Sequence, residues 1–316
     1  MSSRQIRIAT RTSSLALWQA EYVADRLRQL PIEPAVELIH VQTSGDGDRT
    51  SPLREFGGTG AFTREVQRAV MDGYADLAVH SLKDLPTESV DGLCLACVPD
   101  RAPQLDAILL PSKATTVDTL ADLPDSARIG TGSPRRQAQL LNQRPSFEVA
   151  EIRGNVETRI RKLDDGDFDA IVLAEAGLRR LGLDDRISLL LSPPVMLPAV
   201  GQGALGIECR QDDTSTRELL SSITDQPTLL SVTAERCLLK ELRAGCHAPL
   251  GVWTEINDQQ LTLTGVLLSL DGTTRLEASA SGELTDGEQI GRNVAEQLIA
   301  AGGDKLVETI IPSSPY

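Results

Sequence analysis

Through the first two thirds of the chain, short apolar runs alternate with longer stretches whose apolar positions recur every three or four residues. "QIRIAT" predicts a strand, and the pattern from about Ser13 to Leu30 predicts a helix behind a serine cap. "VELIHVQ" predicts a second strand. The polar, glycine-rich stretch 43–60 reads as a loop, 61–72 as a helix, and "DLAVHS" as a buried strand. This alternation belongs to an α/β fold. Two of its segments recur. "RIATRTSSLALWQA" (7–20) is similar to "RIGTGSPRRQAQL" (128–140), each a strand ending in threonine, a turn, a serine cap and a helix. "ADLAVHSLKDLP" (75–86) is similar to "FDAIVLAEAGLRR" (168–180), each an aspartate, a short apolar strand and a polar turn. The repeat describes two related α/β domains. Their strand-to-helix corners lie where α/β sheets bind ligands, and two such domains facing each other make a cleft.

"PPVMLPAVGQG" (193–203) reads as a crossover, and "ALGIECR" as a strand that can return to the first domain's sheet. From about 226 the pattern changes. A helix from Pro227 to about Arg243 precedes three strand patterns, "LGVWTEI", "QLTLTGVLLS" and "TRLEASASG", and a helix near 286–301. The expected division is a first domain of 1–100 plus about 204–222, a second of 105–198, and a C-terminal α+β domain of 226–316.

At 316 residues and 41% hydrophobic, the chain can bury several cores. Only 3% of it is aromatic and its net charge is −14, which argues against nucleic acid and anionic membranes as partners. The start "MSSRQIRIAT" lacks a signal-peptide core, and no run of about 18 apolar residues occurs, so the expectation is a soluble cytoplasmic protein. Five cysteines, an odd number, read as reduced thiols. "CLAC" places Cys94 and Cys97 on opposite faces of a strand, and three scattered histidines offer no zinc set, so no metal site is expected.

Charge narrows the picture further. Residues 128–162 hold eight basic and three acidic side chains, a net of +5 inside an acidic chain. Arg144, Arg161 and Lys162 read as ordinary solvated helix face. "GSPRR" differs: with Ser133 as cap and Pro134 first, Arg135 and Arg136 fall in the first helical turn, where the macrodipole disfavours each cation by about 0.3–1 kcal/mol. An anion on that helix end would account for both. "RGNVETR" repeats the arrangement, with Arg153 at a Gly-Asn corner, Asn155 as cap and Arg159 one turn in; Arg11 precedes the Ser13 cap in the first domain. Arginine suits carboxylate or phosphate, and the absence of a GxxxxGK[ST] motif argues against a nucleoside triphosphate. Lys83 and Asp84, beyond a buried strand, are either a surface pair or a carboxylate aimed at developing positive charge or a moving proton. In "ELRAGCHAPLG" a single thiol, Cys246, sits on a helix-to-strand corner. The preceding helix end raises its pKa; Arg243 and His247 are the neighbours that could offset this. Cys94, Cys97, Cys209 and Cys237 lie in apolar patterns and read as packing.

In ordered blocks from about residue 5 to 255 the chain resembles the porphobilinogen deaminase family. The blocks are "RIATRTSSLALWQA", "TSGD", "FGGTGAF", "DLAVHSLKDLP", "GTGSPRRQ", "RGNVETR", "AGLRRLG", "LPAVGQGALGIECR", "TAER" and "AGCHAPLG". The resemblance implies two α/β domains like type II periplasmic binding proteins and a smaller C-terminal α+β domain. It implies a dipyrromethane cofactor, joined by a thioether to the cysteine matching Cys246. Four porphobilinogens add in turn, each losing ammonia, and water releases the linear tetrapyrrole hydroxymethylbilane. The matching cofactor residues are Lys83, Asp84, Ser133, Arg135 and Arg136. The matching substrate residues are Arg11, Ser13, Gln19, Arg153, Arg159 and Arg180. Asp84 matches the catalytic carboxylate, placed to stabilise the azafulvenium cation left by ammonia and to shuttle protons. A monomer is implied. Thr59 stands where the family's loop usually has lysine, and Gly132 where serine is common, and Asp46 and Phe62 are weaker site candidates beside that loop. The alternatives are a non-catalytic two-lobed protein binding a small anion, or a transcription regulator's effector domain. The first gives Asp84 and Cys246 no role; the second wants a helix-turn-helix and a basic DNA face, whereas this sequence starts directly in a strand and carries a net charge of −14.

Overall fold

The computed structural model describes residues 5–42, 63–112, 117–245 and 248–310. Asp46, Thr59, Phe62, Cys246 and His247 therefore lie outside the described residues. Two compact units form, Met1–Ala102 with Ala204–Leu229, and Pro103–Gly203 with Leu230–Tyr316.

In the first unit, β1 (Gln5–Thr10), α1 (Ser14–Arg28), β2 (Ala35–His40), α2 (Arg64–Met71), β3 (Leu77–Ser81) and β4 (Leu93–Cys97) follow in chain order. The second unit begins with β5 (Asp106–Leu109), β6 (Arg128–Gly130), α3 (Pro134–Gln143), β7 (Glu148–Ala150), α4 (Val156–Asp164), β8 (Ala170–Ala174), α5 (Glu175–Arg180) and β9 (Leu189–Leu191). The chain then returns to the first unit as β10 (Leu205–Arg210) and α6 (Thr214–Ser221). The two five-stranded sheets are ordered β2-β1-β3-β10-β4 and β7-β6-β8-β5-β9. Position by position they match. The first three strands of each are mutually parallel, and the fourth runs antiparallel to both its neighbours. The weak repeat in the sequence thus corresponds to one topology used twice, with β1 equivalent to β6 and β3 to β8.

Helices cover both faces of each sheet, so the central strands carry no polar alternation. Ile6, Ile8, Leu77 and Ile207 pack with Val23 and Leu27 of α1 and Leu220 of α6, while Ala9 and Ala78 on the other face meet Val66 and Val70 of α2. Similarly, Ile108, Ile129 and Val172 meet Leu140 of α3, and Leu109, Ile171 and Leu173 meet Ile160 and Leu163 of α4.

The last part of the chain is α+β: α7 (Gln226–Glu241), β11 (Leu250–Asn257), β12 (Gln260–Leu268), β13 (Arg275–Glu283), α8 (Gly287–Ala300) and α9 (Gly303–Ile310). Its antiparallel sheet buries Leu261 and Leu263 against Leu238 of α7 and Val294 and Leu298 of α8. The opposite face is a polar ladder, Thr262 with Ser281 and Thr264 with Ser279, until Val266 and Leu268 meet Ala138 of α3. There the β12–β13 turn rests on α3. Gly272, at φ +71°, brings its backbone so close that a Cβ would lie 2.5 Å from the Asn142 nitrogen, and Asn142 Nδ2 donates to its carbonyl.

The chain pattern did not announce β5, α6 or α9. β5 has four residues, too few for a period, and α6 and α9 have eight each. The expected polar turn after β8 is a helix, α5, whereas after β3 only the 3-10 turn Leu82–Asp84 forms. Pro86 explains the difference, since it disfavours helical backbone just before it; after β8 the next proline is Pro193.

Candidate functional site

In the first unit the candidate residues gather at the carboxyl edge of the parallel strands. β1 ends at Thr10, Arg11 follows, and Ser13 caps α1 by accepting from Ala16 N. β3, beside β1, ends at Ser81 and turns through Leu82, Lys83 and Asp84. Gln19 is buried, and its Nε2 donates to Ser81 Oγ at 2.8 Å, tying α1 to the start of that turn. Leu82 N donates to Ala204 O at 3.0 Å, which anchors the turn to the returning chain. Leu82 and Leu85 are buried, so the turn is nailed down by its leucines while Lys83 is half-buried and Asp84 is exposed. Beneath it lies a pair that the sequence did not flag. His80 and Glu208, both buried, meet at 3.1 Å (Nε2 to Oε2), and Gln67 Nε2 donates to the same carboxylate at 2.9 Å.

In the second unit the equivalent edge carries the arginines. Ser133 caps α3, accepting from Arg136 N, and Pro134 is its first residue. Asn155 caps α4, accepting from Thr158 N at 2.9 Å. Gly154, at φ +115°, turns the chain between Arg153 and that cap, and a side chain there would collide with Thr158. Arg153 is half-buried and pairs with Glu151 at 3.0 Å. Arg159 Nε donates to Gly154 O at 2.8 Å. Arg180, at the end of α5, donates from Nη2 to Gly203 O at 2.7 Å.

Arg135 and Arg136 are a different case from the rest. Only 4% and 5% exposed, they point inward from the helix start and share the fully buried carboxylate of Asp106. Arg135 Nη1 reaches Asp106 Oδ2 at 2.7 Å and Leu197 O at 2.6 Å. Arg136 Nε donates to Asp106 Oδ1 at 2.9 Å, and its Nη1 to Val172 O at 2.9 Å. Gln202 Nε2 adds a third donor to Asp106 at 3.0 Å and also holds Gln104 O. Burial pushes the Asp106 carboxyl up, but the two guanidiniums outweigh it and hold the group below the usual carboxylate range. The anion demanded by two arginines on the wrong end of a helix is thus, in the first instance, an internal one. The sequence analysis missed Asp106. Its available signal was an acid at the head of the apolar run "DAILL".

Around the Cys246 corner, α7 ends in a Schellman closure. Ala244 N donates to Leu239 O and Arg243 N to Lys240 O, with Arg243 in the left-handed region at φ +50°. Burial pushes the Cys97 and Cys209 thiols up to about 12 and raises that of Cys237. Those thiols behave as packing groups rather than nucleophiles. No helix among the described residues is long and apolar enough to cross a membrane.

Comparison with known proteins gives two family matches. Residues 6–218 match the model for "Porphobilinogen deaminase, dipyromethane cofactor binding domain", and 229–300 the model for "Porphobilinogen deaminase, C-terminal domain". Similar relatives include the porphobilinogen deaminase of Syntrophotalea carbinolica, 44% identical over 98% of this chain and 97% of its own. That of Geobacter metallireducens is 44% identical over 98% and 96%. Among solved structures, the periplasmic aliphatic sulphonate binding protein SsuA from Escherichia coli is similar at TM-score 0.40 and 13% identity, covering 77% of this chain and 71% of its own.

Proposed function

Since this chain belongs to the porphobilinogen deaminase family, we propose that the residues gathered at its two carboxyl edges, together with Cys246, carry out that family's reaction. The protein is a transferase of tetrapyrrole biosynthesis. It condenses four porphobilinogens with loss of ammonia and releases hydroxymethylbilane. A covalent dipyrromethane on a cysteine supplies the pyrrole carbon to which the first substrate is joined.

Cys246 carries that group, and Lys83, Ser133, Arg135 and Arg136 hold its acid side chains. The donor set fits a polyanion. Two buried guanidiniums share one carboxylate, and Arg135 Nε is buried with no hydrogen-bond partner among the described residues. Arg11, Ser13, Gln19, Arg153, Arg159 and Arg180 bind the acetate and propionate groups of porphobilinogen. Asp84 acts on the reacting ring. Its carboxylate stabilises the cation left when ammonia departs and hands on the proton that the leaving amine requires. The observation that carries this role is the turn itself. Leucines and the Ala204 carbonyl fix its backbone, yet Asp84 stays open to solvent and to a ligand.

The three sheets support a division into domains of 1–100 plus about 204–222, 105–198 and 226–316. The protein is a cytoplasmic monomer with no nucleic-acid or membrane partner, a reading supported by its acidity. Intact mass of the purified protein, with porphobilinogen turnover, tests the whole. Two linked pyrroles on one cysteine are expected; an unmodified, fully active chain would refute the cofactor assignment.

A further inference from the structure

The α3 arginines and the two elements that flank Cys246 in the chain, α7 and β11, belong to the same unit. Between them runs the crossover 193–203, and its backbone is held from both sides. On the α3 side, Gln139 lies one turn after Arg135 and so on the same helix face. It is buried, and its amide grips one residue through both backbone groups. Oε1 accepts from Leu197 N at 2.7 Å, and Nε2 donates to Leu197 O at 3.0 Å. Arg135 Nη1 donates to that same carbonyl at 2.6 Å. On the other side, Val252 N of β11 donates to Pro198 O at 2.8 Å. Beside it is Gly251, where a Cβ would lie 2.8 Å from Leu197 Cβ and 2.9 Å from its carbonyl oxygen, so β11 presses directly on the gripped residue. Glu235 of α7 accepts from Gly201 N at 2.7 Å, a little further along the crossover.

We propose that Gln139 is a positioning residue for the cofactor: by locking Leu197 to α3, it sets the span between Arg135 and the chain that carries Cys246. A thiol that anchors a ligand and an arginine that grips its carboxylate can serve one molecule only when that span is fixed. An apolar side chain would fill the same space. A carboxamide matched to the N–H and the C=O of one residue also fixes register, because it offers one acceptor and one donor in a set geometry. This rests on the reading above that Cys246 carries the dipyrromethane and Arg135 holds it. It adds a residue that holds the two ends of that site in register through the backbone of the crossover.

Two full-length variants disturb the junction from opposite sides. Gln139→Leu removes both hydrogen bonds and leaves Leu197 N–H buried without its acceptor. Gly251→Ala pushes β11 away from Leu197 and leaves the α3 sequence intact. Ile160→Val, a core change in α4, controls for lost stability alone. The folded fraction of each is isolated by size exclusion and its intact mass is read. Misplacement of about 1 Å costs as much as about 10² in function, so the share of folded molecules carrying two pyrroles should fall at least about tenfold in both junction variants and stay full in Ile160→Val. A purely structural glutamine would lower the folded yield and leave the folded molecules loaded; that outcome, or an equal loss in Ile160→Val, overturns the proposal. Loss in Gln139→Leu with full loading in Gly251→Ala would mean that Gln139 acts on Arg135 and not on the span, and that too overturns it. Arg135→Leu is measured alongside. If it is fully loaded, the arginine does not hold the cofactor, and the proposal falls with that reading. If it is empty while Gln139→Leu is full, only the role of Gln139 falls. Should neither junction variant fold, hydrogen exchange in Cys246→Ser protein, verified pyrrole-free by mass, decides. Leu197 N–H protected as strongly as the amides inside α3 supports the proposal, and rapid exchange there overturns it.

Discussion

Two residues carry the sharpest consequences, and they differ in kind. Cys246 is a matter of placement. Burial holds the Cys97 and Cys209 thiols near 12, so neither competes as a nucleophile at neutral pH. We expect Cys246→Ser to fold and to carry no pyrrole mass, and Cys237→Ser to keep it; the reverse result on intact mass would reassign the attachment point. Asp84 is a matter of charge. Asp84→Asn leaves the turn's anchors untouched, since Leu82, Leu85 and the Ala204 carbonyl do not involve its side chain. Cofactor should therefore stay attached while each condensation slows by about 10² or more, the usual scale for one electrostatic or acid–base group. Single-turnover kinetics at wild-type rates would return Asp84 to a surface role. Both residues were visible in the sequence because their neighbours were peculiar, a thiol after Ala-Gly and an acid beside a lysine. Asp106 was not, because one acid in an apolar run looks the same whether it faces solvent or two guanidiniums.

At the scale of elements, the helix ends decide what reaches the edge of each sheet. Ser133 and Asn155 both cap with a side-chain acceptor, and Pro134 pre-sets the first turn of α3. Removing such a cap costs about 1 kcal/mol, so Asn155→Ala should lower stability by that order, read as a denaturant midpoint shift with unchanged slope. The end of α7 offers the opposite case. Arg243 occupies the left-handed position of the Schellman closure, where glycine is the unstrained residue. Arg243→Gly should raise stability by roughly 0.5–1 kcal/mol; a fall in melting temperature would mean that the arginine side chain contributes more than its backbone strain removes.

At the scale of the whole molecule, both α/β sheets rest on a buried or half-buried aspartate held by arginines. In the first unit, Asp76 accepts from Arg7 N at 2.8 Å and Nη2 at 2.9 Å and pairs with Arg210. Burial pushes its carboxyl up, but Arg7 outweighs it, so Asp76, like Asp106, titrates below its ordinary value in the folded protein. A carboxyl depressed on folding stabilises fully above its unfolded pKa of about 3.9, and that stability is lost as pH falls below it toward the folded value. Thermal melting should therefore be insensitive to these groups near neutrality and decline steeply below about pH 4. Asp76→Asn should be less stable near neutrality and show a shallower acid decline. An unchanged acid limb in that variant would remove Asp76 from the account.

Periodicity and punctuation were enough to determine the α/β class, the duplicated corners, the serine caps and the change of pattern after residue 226, because each depends on residues within a turn or two of one another. Runs of motif were enough to determine the family, since their order survives without any contact being known. Three things needed the folded chain. Strand β5 has only four residues and is held by β8 and β9, partners distant in sequence. The shared topology of the two sheets exists only once β10 has travelled back to β3 and β4. Asp106 meets Arg135 and Arg136 across about thirty residues, because β5 brings its first residue under the start of α3. Local pattern records which face of an element is apolar. Which buried charge will meet which is settled by strand order, and strand order is a property of the tertiary fold.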